Sequence, residues 1–324
     1  MKAIRVHQHG EPEVLRYEEV PDPTPEPGEV LVQVRAAGVN FADALARRGL
    51  YPTLTPPPFI PGIEVAGTVV AVGAGVEGIE VGQRVMGFAP KAGYAELAVM
   101  PAAGAMPVPE RINFEEAAAF PIVFLTAYHA LKTFGRLQEG EAVLIHAAGG
   151  GVGTAAVQLA KIWGGRVFAT AGSDGKLSKV RTLGADIVHN YRTGDFLDAV
   201  RRWTGGRGVD VVLESVGGEV FEKSLRALAP DGRLVVVGLS SGVQPQLHLG
   251  LVIMNRLSVI GMHLGSMTVK RPDLVGTSAR ELIGLLAQGM IKPVVGHVFP
   301  LKEAAEAHRL LEGRGSYGKL VLKP

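Results

Sequence analysis

The sequence predicts an α/β protein of two domains, a mainly-β barrel followed by a doubly wound parallel sheet. Residues 1–110 contain short β-rich runs separated by glycines and prolines, as at 21–29, which is typical of a compact antiparallel barrel or sandwich. From Phe114, strand and helix patterns alternate as far as Met262, which is typical of a parallel sheet with helices on both faces. A glycine-rich turn inside that alternation is the strongest functional motif.

The first domain is predicted from four short strands and one helix. The strands fall at 2–6, 29–36, 64–72 and 83–88. The segment 36–52 has a different pattern, because Phe41, Leu45 and Arg48 share one helical face. It therefore predicts a loop followed by a short helix.

The second domain is predicted from alternating helices and strands. A helix over 115–119 is interrupted at Pro121 and continues over 125–134. Strands follow at 142–146, 166–170, 187–189, 209–215 and 233–238, with helices between them at 152–160, 176–183, 195–203 and 219–227. The C-terminal segment has too few strands for a domain of its own, so we expect it to pack on the first domain. The predicted domains are 1–121 with 265–324, and 122–264.

The composition excludes several classes of function. Among 324 residues, 33 basic and 31 acidic side chains give a formal net charge of +2 without a basic block, so no nucleic-acid partner is implied. Cysteine is absent, which excludes disulfides, thiolate zinc sites and a cysteine nucleophile. The N-terminus lacks an apolar signal segment, and the most apolar run, 117–131, is too short to span a bilayer. We therefore expect a cytoplasmic protein without a membrane partner.

The segment 141–176 predicts a dinucleotide-binding unit of strand, glycine turn, helix and strand. Glycines there allow backbone N–H groups to approach a pyrophosphate at the positive N-terminal end of the helix. The motif fits an AxGxxG register that starts at Ala148 and a GxGxxA register that starts at Gly151, and a glycine turn without a ligand stays the alternative. The candidate contacts are Ala148, Gly150, Gly151, Val152 and Gly153.

The end of the second strand of this unit favours NADPH over NADH. An NAD site usually carries an acidic residue there, about 20 residues after the glycines, which binds the ribose 2′-hydroxyl. This chain has Gly172 and Ser173 followed by Lys176, a small, hydroxyl-bearing and basic corner that suits a 2′-phosphate. Asp174 argues for the opposite choice, since its carboxylate, if turned inward, would repel the phosphate.

Three further strand ends are candidate cofactor loops, because ligands of doubly wound sheets bind beyond the carboxyl ends of the strands. These loops are 215–218, 238–241 and 261–264. Their candidate contacts are Ser215, Val216, Gly238, Leu239, Met262, His263 and Leu264.

Four motifs occur in order along essentially the whole chain, namely GVNFADALARRGLYP, FIPGIEVAGTVVAVGAGVEGIEVGQRV, LTAYHAL and HAAGGGVG. Together they resemble the zinc-free quinone oxidoreductase branch of the medium-chain dehydrogenases/reductases. The resemblance implies a GroES-like barrel domain, a Rossmann domain, NADPH as cofactor, and a quinone or α,β-unsaturated carbonyl as hydride acceptor. Reduction of a 2-enoyl thioester and NADPH binding without turnover remain alternatives.

The resemblance also implies a reaction without metal. Zinc-dependent relatives hold their catalytic metal through a cysteine and through the histidine of a GHE motif, at places that match Asn40 and Ile63 here. Isoleucine has no donor atom, and zinc requires nitrogen, sulfur or carboxylate ligands. We therefore expect no metal-assisted alcohol oxidation.

The same resemblance assigns roles to residues of the first domain. Tyr51 is the first candidate for a proton donor or acid, with a packed anchor whose hydroxyl lies at the surface as the alternative. Asn40 would orient the substrate or the nicotinamide ribose, or else stabilise a turn. Asp43 is a further catalytic candidate, but a structural bond to Arg47 or Arg48 within the short helix is the simpler expectation.

Additional cofactor contacts are implied in the same way. Thr126 matches a threonine near the nicotinamide, with helix capping or back-bonding as the alternative. Tyr191 and Arg314 match positions that contact the 2′-phosphate, with solvated surface residues as the alternative. The backbone after Val237 and around 262–264 would meet the carboxamide.

The apolar run 256–262 predicts an edge strand of the parallel sheet. An exposed edge can pair with its own copy from a second protomer across a two-fold axis. We therefore expect a homodimer formed through this strand.

Overall fold

Two units make up the computed structural model, which describes residues 1–51 and 56–324. The first unit comprises Met1–Ile122 and Ala279–Pro324, and the second comprises Val123–Ser278. The second boundary therefore lies at 278 and not at the predicted 264. The residues before it stay with the second unit, where the Ser278 hydroxyl is hydrogen-bonded to His129 Nε2 at 3.0 Å.

The first unit is built on a mainly antiparallel sheet. Its strands are β1 (Lys2–Val6), β2 (Leu15–Glu19), β3 (Glu29–Val39), β4 (Glu64–Val72), β5 (Arg84–Phe88), β6 (Leu97–Pro101), β7 (Met106–Pro107), β14 (Val295–Pro300) and β15 (Lys319–Lys323). Seven of them form one sheet in the order β14-β15-β3-β4-β5-β7, with β6 also paired to β3, while β1 pairs with β2. Only β14 and β15 pair in parallel among these described strands. The C-terminal strand β15 thus lies directly beside β3.

In the described part of the first unit three α-helices lie wholly within it, and two more contain the unit boundaries. The former are α1 (Phe41–Arg47), α2 (Phe114–Ala118) and α11 (Ala304–Glu312), and the latter are α3 (Pro121–Tyr128) and α10 (Pro272–Ala287). The helix α1 agrees with the prediction for 36–52, of which Pro52 lies outside the described residues. As predicted, the helix is interrupted at Pro121, since α2 ends at Ala118, but α3 begins at Pro121 itself and not at 125, because the first position of a helix needs no N–H.

The central strand β3 leaves room for buried polar groups near its C-terminal end. Alternate residues from Val30 to Val34 are buried, which is the period of two expected of a strand with one face on the core. Beyond Arg35 every residue of the strand is buried. A Cβ atom at Gly38 would lie 2.4 Å from the Ala118 carbonyl oxygen and 2.5 Å from the Glu64 carboxylate. Glycine is therefore required where these two groups approach the strand.

The second unit is a six-stranded parallel sheet flanked by helices. Its strands are β8 (Ala142–Ile145), β9 (Arg166–Ala171), β10 (Ile187–Asn190), β11 (Val209–Glu214), β12 (Leu228–Val236) and β13 (Ser258–Gly261). Its helices are α4 (Gly151–Ile162), α5 (Asp174–Thr182), α6 (Phe196–Trp203), α7 (Gly218–Ala227), α8 (Leu249–Asn255) and α9 (Leu264–Lys270). The helices α8 and α9 were not predicted. In the part of the chain described, no helix combines the length and the apolarity that a bilayer crossing requires.

The strand order β10-β9-β8-β11-β12-β13 reverses its direction between β8 and β11. Doubly wound sheets bind their ligands at such a switch point, beyond the carboxyl ends of the strands. The glycine turn follows β8, so it lies at this point. The strand β13 is at the edge of the sheet, as predicted for 256–262.

Candidate functional site

The glycine turn between β8 and α4 is the centre of the candidate site of the second unit. Gly150 precedes α4, and its N–H donates to the Ala147 carbonyl at 2.8 Å. A Cβ atom at Gly153 would lie 2.4 Å from that carbonyl oxygen and 2.5 Å from the Ala148 Cα. Gly153 therefore allows close packing of the helix on the turn, which is the role of the third glycine and favours the register that starts at Ala148.

The start of α4 supplies donors for a phosphate. The first N–H groups of a helix, here those of Gly151, Val152 and Gly153, have no acceptor within the helix. They form the positive end of the helix dipole, where phosphates bind. The turn therefore has the chemistry that a pyrophosphate requires.

A basic corner lies beside this turn, formed by Lys176, Tyr191 and Arg192. A Cβ atom at Gly172 would lie 2.5 Å from the Tyr191 hydroxyl and 3.3 Å from Arg192 Nε, so both side chains cover that glycine. The side chain of Lys176 covers Gly149 in the same way, at 3.2 Å from its Cβ position. Partial burial and the charge of Arg192 lower the pKa of Lys176, which indicates that the two cations are close.

Two observations on this corner bear on the predicted choice of NADPH. The carboxylate of Asp174 accepts a hydrogen bond from Asn190 Nδ2 at 2.9 Å, so the residue that argued against a 2′-phosphate has a partner of its own. Arg192 was missed in the sequence analysis, although it directly follows Tyr191. Ser173 is the N-cap residue of α5 and thus lies at the same strand end. Arg314 belongs to the first unit, and its predicted contact stays a prediction.

The loops after β11 and β12 are tied to each other at the same edge of the sheet. The Ser240 N–H donates to the Ser215 carbonyl at 3.0 Å, and the Val237 N–H donates to the Glu214 carbonyl at 2.8 Å. The buried Glu214 carboxylate accepts from the Val216 N–H at 2.7 Å, and burial raises its pKa. Hydrogen bonding therefore brings the candidates Ser215, Val216, Gly238 and Leu239 together.

The remaining candidates of the second unit lie after β13 and inside α3. The Met262 N–H donates to the Val236 carbonyl at 2.9 Å, which extends the sheet beyond β13. His263 caps α9 through its Nδ1, which accepts from the Ser266 N–H at 3.1 Å. Met262 and the following Leu264 are buried. Thr126 is buried within α3 and does not cap it, and its predicted role near the nicotinamide stays a prediction.

A second candidate site is a buried polar cluster within the first unit, at the start of α1. Asn40 is the N-cap residue, and its backbone N–H donates to Asp43 Oδ2 at 2.8 Å. The Tyr94 hydroxyl donates to the same oxygen at 3.0 Å. The predicted bond from Asp43 to Arg47 or Arg48 is wrong, because the carboxylate turns back to the start of its own helix.

Arg47 makes a different set of hydrogen bonds within the same cluster. Its guanidinium donates to the Gly10 carbonyl at 3.1 Å and to Glu312 at 3.0 Å, and it lies 3.4 Å from His308 Nδ1. Since arginine can only donate, Nδ1 accepts and the neutral ring carries its proton on Nε2. That nitrogen lies 3.2 Å from the Tyr94 hydroxyl, which leaves the phenol proton for Asp43.

Burial controls the ionisation of this cluster. It raises the pKa of Asp43 to about 7, against the lowering effects of the Asn40 N–H and of Lys319. Burial and the charge of Arg47 lower the pKa of His308 to about 3. Tyr51 is half-buried, and burial and the charge of Asp43 raise the pKa of its phenol. The phenol is therefore protonated near neutral pH, as a proton donor must be.

The side chain of Asn40 also bonds to both members of a buried ion pair, which the sequence did not predict. Lys319 on β15 pairs with Glu64 on β4, and Lys319 Nζ donates to Asn40 Oδ1. Asn40 Nδ2 donates to Glu64 Oε1 at 2.9 Å. The Ile122 N–H donates to the other carboxylate oxygen at 2.9 Å. Glu64 follows Ile63 in the sequence and could have been noticed, whereas nothing near Lys319 signals its role.

Comparisons with known proteins agree with this architecture. Residues 26–110 match the alcohol dehydrogenase GroES-like domain, and residues 151–278 match the zinc-binding dehydrogenase family. Rat quinone oxidoreductase is 35% identical over 329 residues, which cover 99% of this chain and 97% of that protein. The structure of Escherichia coli quinone oxidoreductase complexed with NADPH superposes with a TM-score of 0.94 at 36% identity, over 100% of both chains.

A further relative is much longer than this chain. A phenolphthiocerol/phthiocerol polyketide synthase protein of Mycobacterium tuberculosis is 37% identical over 322 residues, which cover 98% of this chain but only 14% of that protein. The fold and the glycine turn define a dehydrogenase with a GroES-like and a Rossmann domain. Within that class, the chain belongs to the quinone oxidoreductase family.

The matched family is named for zinc binding, so the residues present must be considered as ligands of a catalytic zinc ion. Ile63 offers no donor atom, and both ends of the Asn40 amide are bonded to Lys319 and Glu64. The Glu64 carboxylate is itself paired with Lys319 and accepts hydrogen bonds from Asn40 and from the Ile122 N–H. Among the residues described, no three His, Cys, Asp or Glu side chains are grouped so that they could hold a metal ion. These residues do not fit a catalytic zinc ion.

The raised pKa of Asp43 predicts a specific pH dependence of stability. The unfolded carboxyl has its ordinary pKa of 3.8 and the folded one a pKa of about 7, so folding favours the protonated form. That contribution is complete below about pH 4 and is lost as the pH rises through about 7. We expect the stability of the wild type, relative to Asp43→Asn, to fall over this range by at most about 1.4 kcal/mol per pH unit.

Thermal unfolding of both proteins between pH 4 and pH 8 measures this difference. Glu77→Gln is the control, because Glu77 is an exposed acid of the same unit, and its difference from the wild type should stay flat. A flat difference for Asp43→Asn as well would contradict the raised pKa.

Proposed function

We propose that the chain is an NADPH-dependent reductase that transfers a hydride to a quinone or an α,β-unsaturated carbonyl. The observation that carries this proposal is the basic corner of Lys176, Tyr191 and Arg192, which lies where an NAD site would hold a carboxylate. When bound, NADPH would supply the hydride. The glycine turn would bind its pyrophosphate, and the loops after β11, β12 and β13 would bind the nicotinamide end. The NADPH complex of the Escherichia coli relative supports this choice.

The first unit would supply the groups that act on the acceptor. A conjugated acceptor takes hydride at carbon, and negative charge then develops on its oxygen, where hydrogen-bond donors stabilise it. Tyr51 is the proposed donor and acid, a role worth roughly 10²–10⁴-fold in rate. Asn40 would orient the acceptor or the ribose. Asp43 would be a second catalytic group, whose charge affects the acidity of the Tyr51 phenol. Thr126 is retained as a proposed contact of the nicotinamide.

We propose that this reaction needs no metal. The acceptor is already electrophilic, so no Lewis acid is required to polarise it. The misfit of Asn40 and Ile63 to zinc, and the full use of the Glu64 carboxylate by protein donors, support this view.

Reduction of a 2-enoyl thioester is the second candidate function. The match to a polyketide synthase favours it, although the chain covers only 14% of that protein. A protein that binds NADPH without turnover is the third. All three share the cofactor site, so the acceptor distinguishes them.

An acceptor panel with NADPH tests the proposed function. We expect a higher kcat/KM for a naphthoquinone or a simple enone than for crotonyl-CoA. Prior treatment with a chelator should leave the rate unchanged. A preference for crotonyl-CoA would establish the thioester reaction, and NADPH binding without oxidation by any acceptor would establish the third candidate. A loss of rate that zinc restores would contradict the absence of a metal.

The cofactor preference is tested by removing the basic corner. Lys176→Ala and Arg192→Ala should each raise the KM for NADPH about tenfold or more, because each removes a charged donor to the 2′-phosphate. Neither should change kinetics with NADH, which lacks that phosphate. Lys179→Ala, an exposed lysine in the same helix, is the matched control and should leave both cofactors unaffected. Equal kcat/KM values for NADPH and NADH in the wild type would contradict the NADPH preference.

We propose in addition that the enzyme is a homodimer formed through β13. The strand lies at the edge of the sheet, and its Val259 is 36% exposed. The helix before it carries Ile253 and Met254, which are 75% and 81% exposed, and apolar side chains of this kind mark interaction surfaces. We expect this dimer to be cytoplasmic and to need no nucleic-acid partner, as the composition predicts.

Sedimentation at micromolar concentration tests the dimer. We expect the wild type to sediment as a dimer and Ile253→Glu to shift it toward monomer, because a charge would then be buried in the interface. Val81→Glu, at a residue 65% exposed in the first unit, is the control and should remain dimeric. A wild type that sediments only as a monomer would refute the proposal.

A further inference from the structure

A buried ion pair lies over the end of β3 in the first unit. Lys319 and Glu64 come from β15 and β4, the two strands that flank β3, and they meet over Gly38, whose missing side chain leaves room for the carboxylate. The Lys319 side chain is 4% exposed and the Glu64 side chain 0%. Buried charges of this kind are tolerated only when hydrogen bonds satisfy their remaining donors and acceptors.

The side-chain amide of Asn40 completes the ion pair. Its Oδ1 accepts from Lys319 Nζ, while its Nδ2 donates to Glu64 Oε1 at 2.9 Å and to the Gly38 carbonyl at 3.4 Å. An ammonium has only donors and a carboxylate only acceptors. A flipped amide would therefore place its NH₂ against the ammonium and its oxygen against the carboxylate. The two charges together permit one orientation.

The same three residues connect to the other groups of the proposed site. Glu64 Oε2 accepts from the Ile122 N–H at 2.9 Å, in the first turn of α3. The Asn40 backbone N–H donates to Asp43 Oδ2 at 2.8 Å. Asn40 is thus held at its backbone by Asp43 and at its side chain by the ion pair.

We propose that Lys319 and Glu64 are positioning residues which, through Asn40, fix the direction in which the remaining lone pair of Asn40 Oδ1 accepts a hydrogen bond from the nicotinamide ribose, since both Nδ2 protons are already donated within the cluster. This inference rests on the proposed reductase function. The pair is neutral as a whole and acts by orientation, so Lys319 itself needs no contact with the acceptor.

A pair of neutralising substitutions tests the role without leaving a buried charge unpaired. In Glu64→Gln/Lys319→Met we expect kcat for the naphthoquinone to fall about tenfold or more, as misorientation of a positioning group does. The dissociation constant for NADPH, measured by fluorescence, should rise by a much smaller factor than kcat falls. The same substitutions in an exposed ion pair, Glu115→Gln/Lys323→Met, are the matched control, since Lys323 lies on the same strand, and should leave kcat unchanged.

Non-additivity separates positioning through Asn40 from a general structural effect. Asn40→Ala should lower kcat in the wild type and cause no further loss in the neutralised variant, because both changes remove the same function. Additive losses, or a neutralised variant with wild-type kcat, would overturn the proposal.

A measurement without turnover distinguishes failure of this inference from failure of the proposed function. If the wild type reduces no acceptor, the reductase proposal fails, and the ¹⁵N signals of the Asn40 side-chain amide, assigned with Asn40→Ala, still report its orientation. We expect these protons to exchange slowly with solvent in the wild type and rapidly in the neutralised variant. Equal exchange in both would overturn the positioning role. If this double variant does not fold, Glu64→Gln/Lys319→Gln, which also leaves no buried charge, replaces it in both measurements.

Discussion

The ion pair between Lys319 and Glu64 is the interaction on which the first unit depends. A fully buried carboxylate needs a partner for each oxygen, and here the partners come from β15, from the residue before α1 and from the first turn of α3. Removing one member of such a pair leaves an uncompensated charge and typically costs about 3–5 kcal/mol. The C-terminal strand therefore cannot separate from β3 without a large penalty. This explains why the last residues of the chain share a unit with the first.

The second unit uses carboxylates for a related purpose. Parallel strands leave backbone N–H groups unpaired at their ends, and such groups need acceptors. Asp210 accepts from the Ala142 N–H at 2.8 Å and Asp186 from the Val167 N–H at 2.6 Å, at the amino ends of β8 and β9. Glu214 does the same at the carboxyl end of β11. Of these carboxylates, Glu214 satisfies the loop after β11 at the switch point, while the first N–H groups of α4 lie where a phosphate binds.

The sequence predicts what is encoded locally and misses what the fold brings together. The unit of β8, glycine turn, α4 and β9 is contiguous, so glycines and apolar spacing suffice to predict it. By contrast, Asp43 bonds Tyr94, 51 residues away, and Lys319 reaches Asn40 across 279 residues. No pattern within a short window encodes such contacts. The helix α8 was missed for another reason, since none of its residues is fully buried and only Leu251 and Val252 pack against the core, which is too few to produce a helical apolar pattern.

Burial also explains how the polar cluster of the first unit could take part in proton transfer. It acts in opposite directions on an acid and a base, raising the pKa of Asp43 to about 7 and lowering that of His308 to about 3. Between these values both groups are uncharged. Above about pH 7 Asp43 ionises, and Lys319, which favours that charge, is already paired with Glu64. The new charge makes the Tyr51 phenol a weaker acid. The proton donation proposed for Tyr51 would therefore be most favourable while Asp43 keeps its proton.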